Sequence, residues 1–473
     1  MHTKESTSFR FLKNTVIFFL GSILSKVITF FMLPLYTSYI NPIDYGYYDL
    51  SIAYVTIVTS ALFFDIWVTT MRYMYEKKEI KWKWKASQSG IFIYLTSLSL
   101  LVLLGLIVNK IFEIKYLSLI IGYAITLSLA NMFLYIARGY GNNIIYSISG
   151  ILNTLIIVVS NIIMIVGLQM DFSSLYIASI FGHLAQCIFI ESRVKILKNL
   201  FQTKLDLRYI KNMFFYSLPL SINSISYWLL TSFNKVVVQS VLSIEYNGYY
   251  AIGNKFGYAL SLATNSFTLA WQDLSFSRSA NDKSNGLYYS RACSKYLAFL
   301  GMGACVLLPF FNVVFDFLVN KSYYVAKATI PLFVIAALLN AYSTFIGNIF
   351  YAIKDTKSIF YSMVVSCTIN LILCYPLIKI YAINGANISM TISFLVNILI
   401  RGQVLYRKIG FRLNYKEIIK YTVLIFMTSI IYSTNMVTIN ILWMIIMIFY
   451  TIHILKSDII RLFFDIKNRI GLN

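Results

Sequence analysis

The sequence carries one short aromatic and glycine stretch twice, as IDYGYY at residues 43–48 and as IEYNGYY at residues 244–250. The glycines of the two copies, Gly46 and Gly248, lie 202 residues apart. Each copy opens an apolar run long enough to cross a bilayer, and the second copy recurs six runs after the first. The repeat therefore predicts two six-helix lobes related by a parallel repeat, an organisation known from membrane transporters. The predicted lobes are residues 1–205 and 206–412, followed by a helix pair in 413–473.

The composition excludes a soluble multidomain protein. Of the 473 residues, 59% are hydrophobic and only 12% are charged, whereas soluble domains average about 25% charged residues. A membrane-crossing helix needs about 20 mostly apolar residues, and the runs lack the alternation of a transmembrane β-barrel. The fold class predicted is an all-α polytopic membrane protein with about fourteen spans: 15–37, 48–70, 89–108, 116–137, 146–167, 174–190, 213–233, 248–271, 296–316, 328–351, 360–378, 385–405, 420–433 and 438–455.

The basic residues orient these spans. The chain has 40 Lys and Arg against 18 Asp and Glu, a net charge of +22. In a soluble protein that excess would suggest a nucleic-acid partner, but here 31 basic residues fall in one set of alternating loops and six in the other. Cytoplasmic loops carry this excess and face anionic lipid headgroups. We therefore expect both termini in the cytoplasm, membrane lipids as partners and no nucleic acid.

The cysteines and histidines indicate no metal or cofactor. The five cysteines sit mostly in apolar runs and form no CxxC pair, and the three histidines are scattered. Cysteines in such runs usually act as small buried apolar side chains and not as disulfide partners or metal ligands. The basic N-terminus precedes an apolar stretch that is too long for a signal peptide, so we take it as the first span.

Several motifs carry a resemblance to a known family. The stretch FMLPLYTS at residues 31–38 is followed by Asn41-Pro42 and Tyr45-Gly46, Met71-Arg72-Tyr73 closes the second span, and residues 248–250 echo the pattern. In this the sequence resembles the polysaccharide-repeat-unit flippases. These form the Wzx-like branch, serving O-antigen and capsule synthesis, of the multidrug/oligosaccharidyl-lipid/polysaccharide (MOP) exporter superfamily.

The resemblance implies a V-shaped, MATE-like transporter of the bacterial cytoplasmic (inner) membrane and not an enzyme. Its substrate would be an undecaprenyl-diphosphate-linked oligosaccharide, moved from the cytoplasmic to the outer leaflet by alternating access through a cationic cavity between the lobes. The product would supply O-antigen, capsule or another surface polysaccharide. A polysaccharide polymerase and glycosyltransferases would be further partners.

Ionisable residues inside spans are functional candidates, because burying a charge in lipid costs at least a few kcal/mol. Lys26 lies near the middle of the first span, and Lys255 lies in the eighth span within Gly253-Asn254-Lys255-Phe256-Gly257, a pattern that permits close helix approach. A lysine binds a diphosphate as a point charge, without the bidentate grip of arginine. Asp65, deep in the second span, could neutralise Lys26, close a cytoplasmic gate or carry a coupling proton. The resemblance places these three spans along the central cavity.

Three further candidates lie near the end of a span or carry no charge. Arg72 ends the second span and Arg401 lies near the cytoplasmic end of the twelfth, where a long side chain can reach the interface. Either could also contact the substrate. Asn223, on the seventh span, could bond sugar hydroxyls.

Three alternatives to this function stay open. A peptidoglycan lipid II flippase fits the same charges. A multidrug exporter of the same superfamily fits less well, because a lysine at the midplane repels organic cations and such exporters usually have twelve spans and an acidic site. A membrane glycosyltransferase or polymerase generally needs a sizeable outside loop, whereas the longest one here, between Asn234 and Asn247, has about 14 residues.

Overall fold

A computed structural model describes residues 28, 30–77, 79–276, 285–353 and 355–470. The chain divides into two compact units, Met1–Ala251 and Ile252–Asn473. In the first unit the described residues form these helices: α1 (Leu33–Tyr39), α2 (Pro42–Phe63), α3 (Ile66–Met74), α4 (Ile80–Ile111), α5 (Leu117–Gly139), α6 (Asn143–Asn161), α7 (Ser173–Val194), α8 (Ile196–Asn199), α9 (Leu207–Thr231) and α10 (Phe233–Val241). A π-helical turn, Ile162–Gly167, extends α6. The unit boundary falls within α11 (Ile244–Phe276).

The second unit contains the rest of α11 and six further helices among the described residues. Its helices are α12 (Asn285–Leu318), α13 (Ile330–Ala352), α14 (Thr356–Tyr381), α15 (Ile383–Ile409), α16 (Tyr415–Ser433) and α17 (Val437–Ile470). A 3₁₀ segment, Lys321–Thr329, leads into α13. The turn between α14 and α15 is a single residue, Ala382, with a φ of 50°, so these helices form a tight antiparallel pair.

Local sequence explains where α2 begins. The side chain of Asn41 accepts a hydrogen bond from the backbone N–H of Asp44 at 2.9 Å, and Pro42 occupies the first helical position. An Asn cap satisfies an N–H that has no partner within the helix, and proline at this position loses no hydrogen bond. The motif that carries the family resemblance is therefore also a helix start signal.

The two copies of the aromatic and glycine stretch touch each other. The side-chain amide of Asn247 donates to the carbonyl oxygen of Gly46 at 2.9 Å. A Cβ atom on Gly46 would lie 2.6 Å from the backbone nitrogen of Gly248, and one on Gly248 would lie 2.8 Å from the carbonyl carbon of Pro42. Only residues without a side chain allow the starts of α2 and α11 to approach this closely.

The predicted second span is broken. Phe64 and Asp65 both adopt the left-handed conformation, with φ of 53° and 48°, and α2 and α3 meet there at an angle of 50°. Residues other than glycine adopt this conformation at a cost of about 1–2 kcal/mol each, so packing around the break must hold it. Phe63, directly before the break, is fully buried and packs on Trp67 and Tyr94.

The predicted fold class is confirmed: the chain is an all-α, multi-pass membrane protein. Among the described residues, nine helices are long and apolar enough to cross a membrane, or ten if α2 and α3 count as one bent span. Every predicted span from the second to the fourteenth coincides with helical residues, and the first is described only from residue 28. The count of fourteen and the orientation stay predictions.

Candidate functional site

Asp65 is a buried carboxylate at the break between α2 and α3. Its residue is only 7% exposed, and the side chains of Ser60 on α2 and Ser224 on α9 hydrogen-bond to it. No basic side chain pairs with Asp65 within the described parts of the chain. Neutral hydroxyls solvate the carboxylate without cancelling its charge, so the site suits a proton or another cation.

Polar contacts continue along α2 where it packs against α9 and α10. The hydroxyl of Ser221 donates to the Ser60 carbonyl at 2.7 Å, and the indole N–H of Trp228 donates to the Ala53 carbonyl at 2.8 Å. Further along, Lys235 Nζ lies 2.7 Å from Asp49 Oδ2, with both side chains largely buried. Sequence reasoning missed this ion pair, because the two residues are far apart in the chain and each sits at the edge of an apolar run.

Lys255 is half-buried on α11. The glycines on either side of it provide the close approach that the small-residue pattern predicts. A Cβ atom on Gly253 would lie 2.8 Å from Cε2 of Phe333, and one on Gly257 would lie 3.0 Å from the Phe333 carbonyl oxygen. The pattern thus packs α11 on the start of α13 and fixes the backbone that carries Lys255.

Arg401 lies in the interior of the second unit rather than reaching the interface. It is 5% exposed, Nε donates to Ser362 Oγ at 3.0 Å, and Nη1 donates to the carbonyl and hydroxyl oxygens of Ser343 at 2.6 and 3.0 Å. A Cβ atom on Gly347 would lie 2.8 Å from Nη1, so glycine there makes room for the guanidinium. Within the described residues no carboxylate pairs with Arg401, and its charge is solvated by serine oxygens alone.

Arg401 ends a row of buried polar residues that sequence reasoning missed. On α15 these residues recur every fourth position and face a similar row on α14. Asn397 Nδ2 donates to the Ser362 carbonyl and to Ser366 Oγ, both at 2.9 Å, and Ser389 Oγ donates to Asn370 Oδ1 at 2.8 Å. The rows are Ser389, Ser393, Asn397 and Arg401 on α15, and Ser362, Ser366 and Asn370 on α14. A four-residue period of polar side chains in apolar helices was the signal available in the sequence.

The remaining candidates are at the surface or outside the described part. Arg72, in the last turn of α3, and Asn223, on α9, are exposed. Lys26 lies outside the described residues. In the first unit the structure places Asp65 next to Ser224, which follows Asn223 in the chain. Arg401 lies in the second unit.

Each unit therefore buries a charged side chain without an opposite charge among the described residues, Asp65 in the first and Arg401 in the second. A charge inside an apolar bundle is costly unless it is compensated. Such residues mark substrate or ion pathways in membrane proteins. The arrangement can bind and release ions and protons.

Comparison with known proteins connects this arrangement to a transporter fold. The profile of a family described as polysaccharide biosynthesis protein matches residues 145–323. No curated protein matches the sequence. The matched range contains residues 248–250 but not the motifs at residues 31–46 and 71–73 that carry the rest of the resemblance.

Three solved structures share the fold. The lipid II flippase MurJ, in its inward closed conformation, matches with a TM-score of 0.69 and 17% identity over 94% of this chain and 100% of its own. A multidrug resistance MATE family transporter of the MOP superfamily, facing inward, matches with a TM-score of 0.66 and 12% identity over 83% of this chain and 95% of its own. An outward-facing MATE family transporter of that superfamily matches with a TM-score of 0.56 and 16% identity, covering 84% and 96%. This chain therefore has the fold of a lipid II flippase and of MATE family transporters.

Proposed function

We propose that this chain, which has the fold of the MOP-superfamily flippases and transporters, moves undecaprenyl-diphosphate-linked oligosaccharides from the cytoplasmic to the outer leaflet of a bacterial membrane. The observation that carries the proposal is the match to a lipid flippase fold over 94% of the chain. The match to a polysaccharide biosynthesis family over residues 145–323 supports a glycan cargo. The product would feed the synthesis of O-antigen, capsule or another surface polysaccharide, beside a polymerase and glycosyltransferases.

The charges inside the spans support an anionic cargo. A diphosphate that leaves water needs a positive partner at each stage, and Lys26, Lys255 and Arg401 lie inside predicted spans. Lysines hold phosphate as point charges and release it easily, while the polyprenyl tail stays in lipid. We assign Lys26 and Lys255 to the diphosphate, Asn223 to the glycan and Asp65 to a coupling ion. Alternating access of the lobes 1–205 and 206–412 would carry the head group across.

The test is export by lysine variants. Lys26→Ala and Lys255→Ala should abolish surface polysaccharide while protein levels stay normal, because each removes a positive charge from the path. Lys357→Ala, at an exposed position on α14, is the matched control and should export normally. Wild-type export by both Lys26→Ala and Lys255→Ala would refute the charge assignment.

A direct assay separates this function from the alternatives. The purified protein in liposomes should move a fluorescent undecaprenyl-diphosphate oligosaccharide between leaflets, whereas transfer of its sugar to another acceptor would identify an enzyme. The MurJ fold match favours lipid II as a second candidate cargo. Adding unlabelled lipid II in excess decides between them: unchanged transport supports the polysaccharide unit, and full inhibition supports lipid II.

A further inference from the structure

Four aromatic rings pack together where α3 leads into α4 and α9 begins, all in the first unit. The ring centroids of Tyr73 and Tyr209 are 5.5 Å apart, those of Tyr73 and Tyr216 are 5.6 Å apart, and those of Trp82 and Tyr209 are 5.3 Å apart. Two lysines, Lys77 and Lys85, lie against these rings. We call these six residues the aromatic–lysine cluster. The predicted topology places it on the cytoplasmic side, next to Arg72.

Two hydrogen-bond donors inside the cluster have no partner. The indole N–H of Trp82 and the hydroxyl of Tyr209 are both buried and unbonded, and Tyr209 is only 8% exposed. Leaving a buried donor unsatisfied destabilises the folded protein, and native proteins seldom tolerate it without a bound water or ligand. Two such donors on rings in edge-to-face contact indicate a place for acceptor atoms of a ligand.

The two lysines have different roles. Lys85 Nζ lies 2.7 Å from Asp206 Oδ2 and 4.9 Å from the centroid of Tyr209. Its hydrogen bond holds the pKa of the Asp206 carboxyl below the usual range, and the ion pair holds α4 against the start of α9. Lys77 instead lies 4.1 Å above the Trp82 ring and is exposed. No carboxylate pairs with it among the described residues, so its charge is available to an anion.

We propose that the aromatic–lysine cluster binds the sugar-diphosphate head group of the cargo before translocation. This rests on the proposed function and adds a loading site to it. The half-buried ring of Tyr73 and the exposed ring of Tyr216 offer faces for a sugar ring, and Trp82 Nε1 and Tyr209 Oη donate to sugar oxygens. Lys77 swings from the Trp82 ring to the diphosphate, which uncovers the indole as the ligand enters. Glu76, which interacts with both Tyr73 and Tyr209, accepts from a sugar hydroxyl.

The buried N–H of Trp82 and the buried hydroxyl of Tyr209 favour this ligand over an ordinary phospholipid. An anionic membrane surface attracts exposed lysines through charge alone and needs no buried N–H or O–H. Binding sites for polar small molecules combine apolar and aromatic walls with a few placed polar groups, and the cluster has both. The head group of a glycolipid diphosphate supplies the ring, the hydroxyls and the negative charge together.

Binding to the purified full-length protein in nanodiscs tests the proposal with three probes. They are farnesyl diphosphate linked to N-acetylglucosamine, farnesyl diphosphate without sugar, and phosphatidylglycerol. The wild type should bind the sugar-bearing probe at least tenfold more tightly than the bare diphosphate. Tyr209→Phe and Trp82→Phe should each weaken only the sugar-bearing probe, by about five- to tenfold for one lost hydrogen bond. Lys77→Gln should weaken both diphosphates, because it removes the charge that they share.

A matched control is Tyr406→Phe. Tyr406 is an exposed tyrosine in the second unit with Arg412 5.9 Å from its ring, and its variant should bind all probes normally. An unfolding midpoint within about 2 °C of that of the wild type shows that Tyr209→Phe is folded. Equal affinity for the two diphosphates, unchanged binding by Tyr209→Phe, or equal competition by phosphatidylglycerol would each overturn the loading site.

The liposome assay separates this proposal from the proposed function. If the wild type binds the sugar-bearing probe as described but moves no glycolipid, the flippase function fails and the binding site stands. If Tyr209→Phe and Lys77→Gln transport with an unchanged half-saturating concentration, the loading site fails and the flippase function stands.

Discussion

In the second unit the buried guanidinium of Arg401 is surrounded by oxygens of Ser343 and Ser362, which we call the serine cradle. Three of its donor contacts go to Ser343 and Ser362, on two different helices. The planar guanidinium can reach both helices at once because its donors point in fixed, divergent directions. Burial without a carboxylate among the described residues makes Arg401 costly as a mere packing residue, which is why we place it on the path of an anion.

Removing this guanidinium should destabilise the protein. Arg401→Met keeps most of the side-chain stem but leaves the oxygens of Ser343 and Ser362 with fewer donors, at about 1–3 kcal/mol for each group left unsatisfied. Arg401→Lys should recover only part of the loss, since one ammonium cannot bridge both serines as the guanidinium does. The midpoint of thermal unfolding in detergent measures the effect.

The control for this prediction lies on the same helix. Arg407 is exposed on α15, so Arg407→Met should leave the unfolding midpoint nearly unchanged. Equal midpoints for the Arg401 and Arg407 variants would mean that the serine cradle contributes nothing to stability.

At the scale of elements, the starts of α2 and α11 meet through glycine. The close approach of Gly46 and Gly248 involves backbone atoms on both sides, so no side chain can move aside to accept a new methyl group. The hydrogen bond from Asn247 to the Gly46 carbonyl fixes the register of the same contact. The two copies of the aromatic and glycine stretch therefore form a packing contact.

Gly46→Ala and Gly248→Ala should each lower stability by about 1–3 kcal/mol, as overpacking of a tight contact usually does. The double variant should lose less than the sum of the two, because both substitutions force apart the same pair of helices. Unfolding midpoints of the three variants measure this. Gly150→Ala on α6, where no heavy atom lies within 4 Å of the added Cβ, should be neutral or stabilising, since alanine is the better helix former. Full additivity would show that the two glycines act separately.

A second feature at the scale of elements is the break between α2 and α3. The composition of the second span predicts one continuous helix, and the structure bends it by 50° at Phe64 and Asp65. Neither glycine nor proline occupies the break, so its cause lies in the surroundings: Phe63 packs into the core, and Ser60 and Ser224 bind Asp65. Strained backbone at a buried acid is a common feature of functional sites.

At the scale of the whole molecule, the uneven distribution of basic residues makes a prediction about orientation. The five native cysteines are all buried, so single new cysteines at exposed positions should dominate labelling. A membrane-impermeant thiol reagent on intact cells should label Glu113→Cys, in a loop predicted outside, and should not label Lys198→Cys, in a loop predicted inside. Both positions are exposed in the structure. Both should react after the cells are opened, and the reverse pattern on intact cells would invert the topology.

The sequence by itself determined the membrane class, the helical spans and the pair of aromatic and glycine stretches, because these depend on composition and on local hydropathy. It also singled out Asp65 and Arg401, since a charge in an apolar run is visible in one dimension. Only the tertiary structure decided what surrounds them: that Arg401 is cradled by serines on two other helices, that Asp65 sits at a break, and that Trp82 and Tyr209 bring two unbonded donors together. Hydropathy is additive along the chain, whereas a hydrogen-bond partner on another helix depends on packing between residues far apart in sequence.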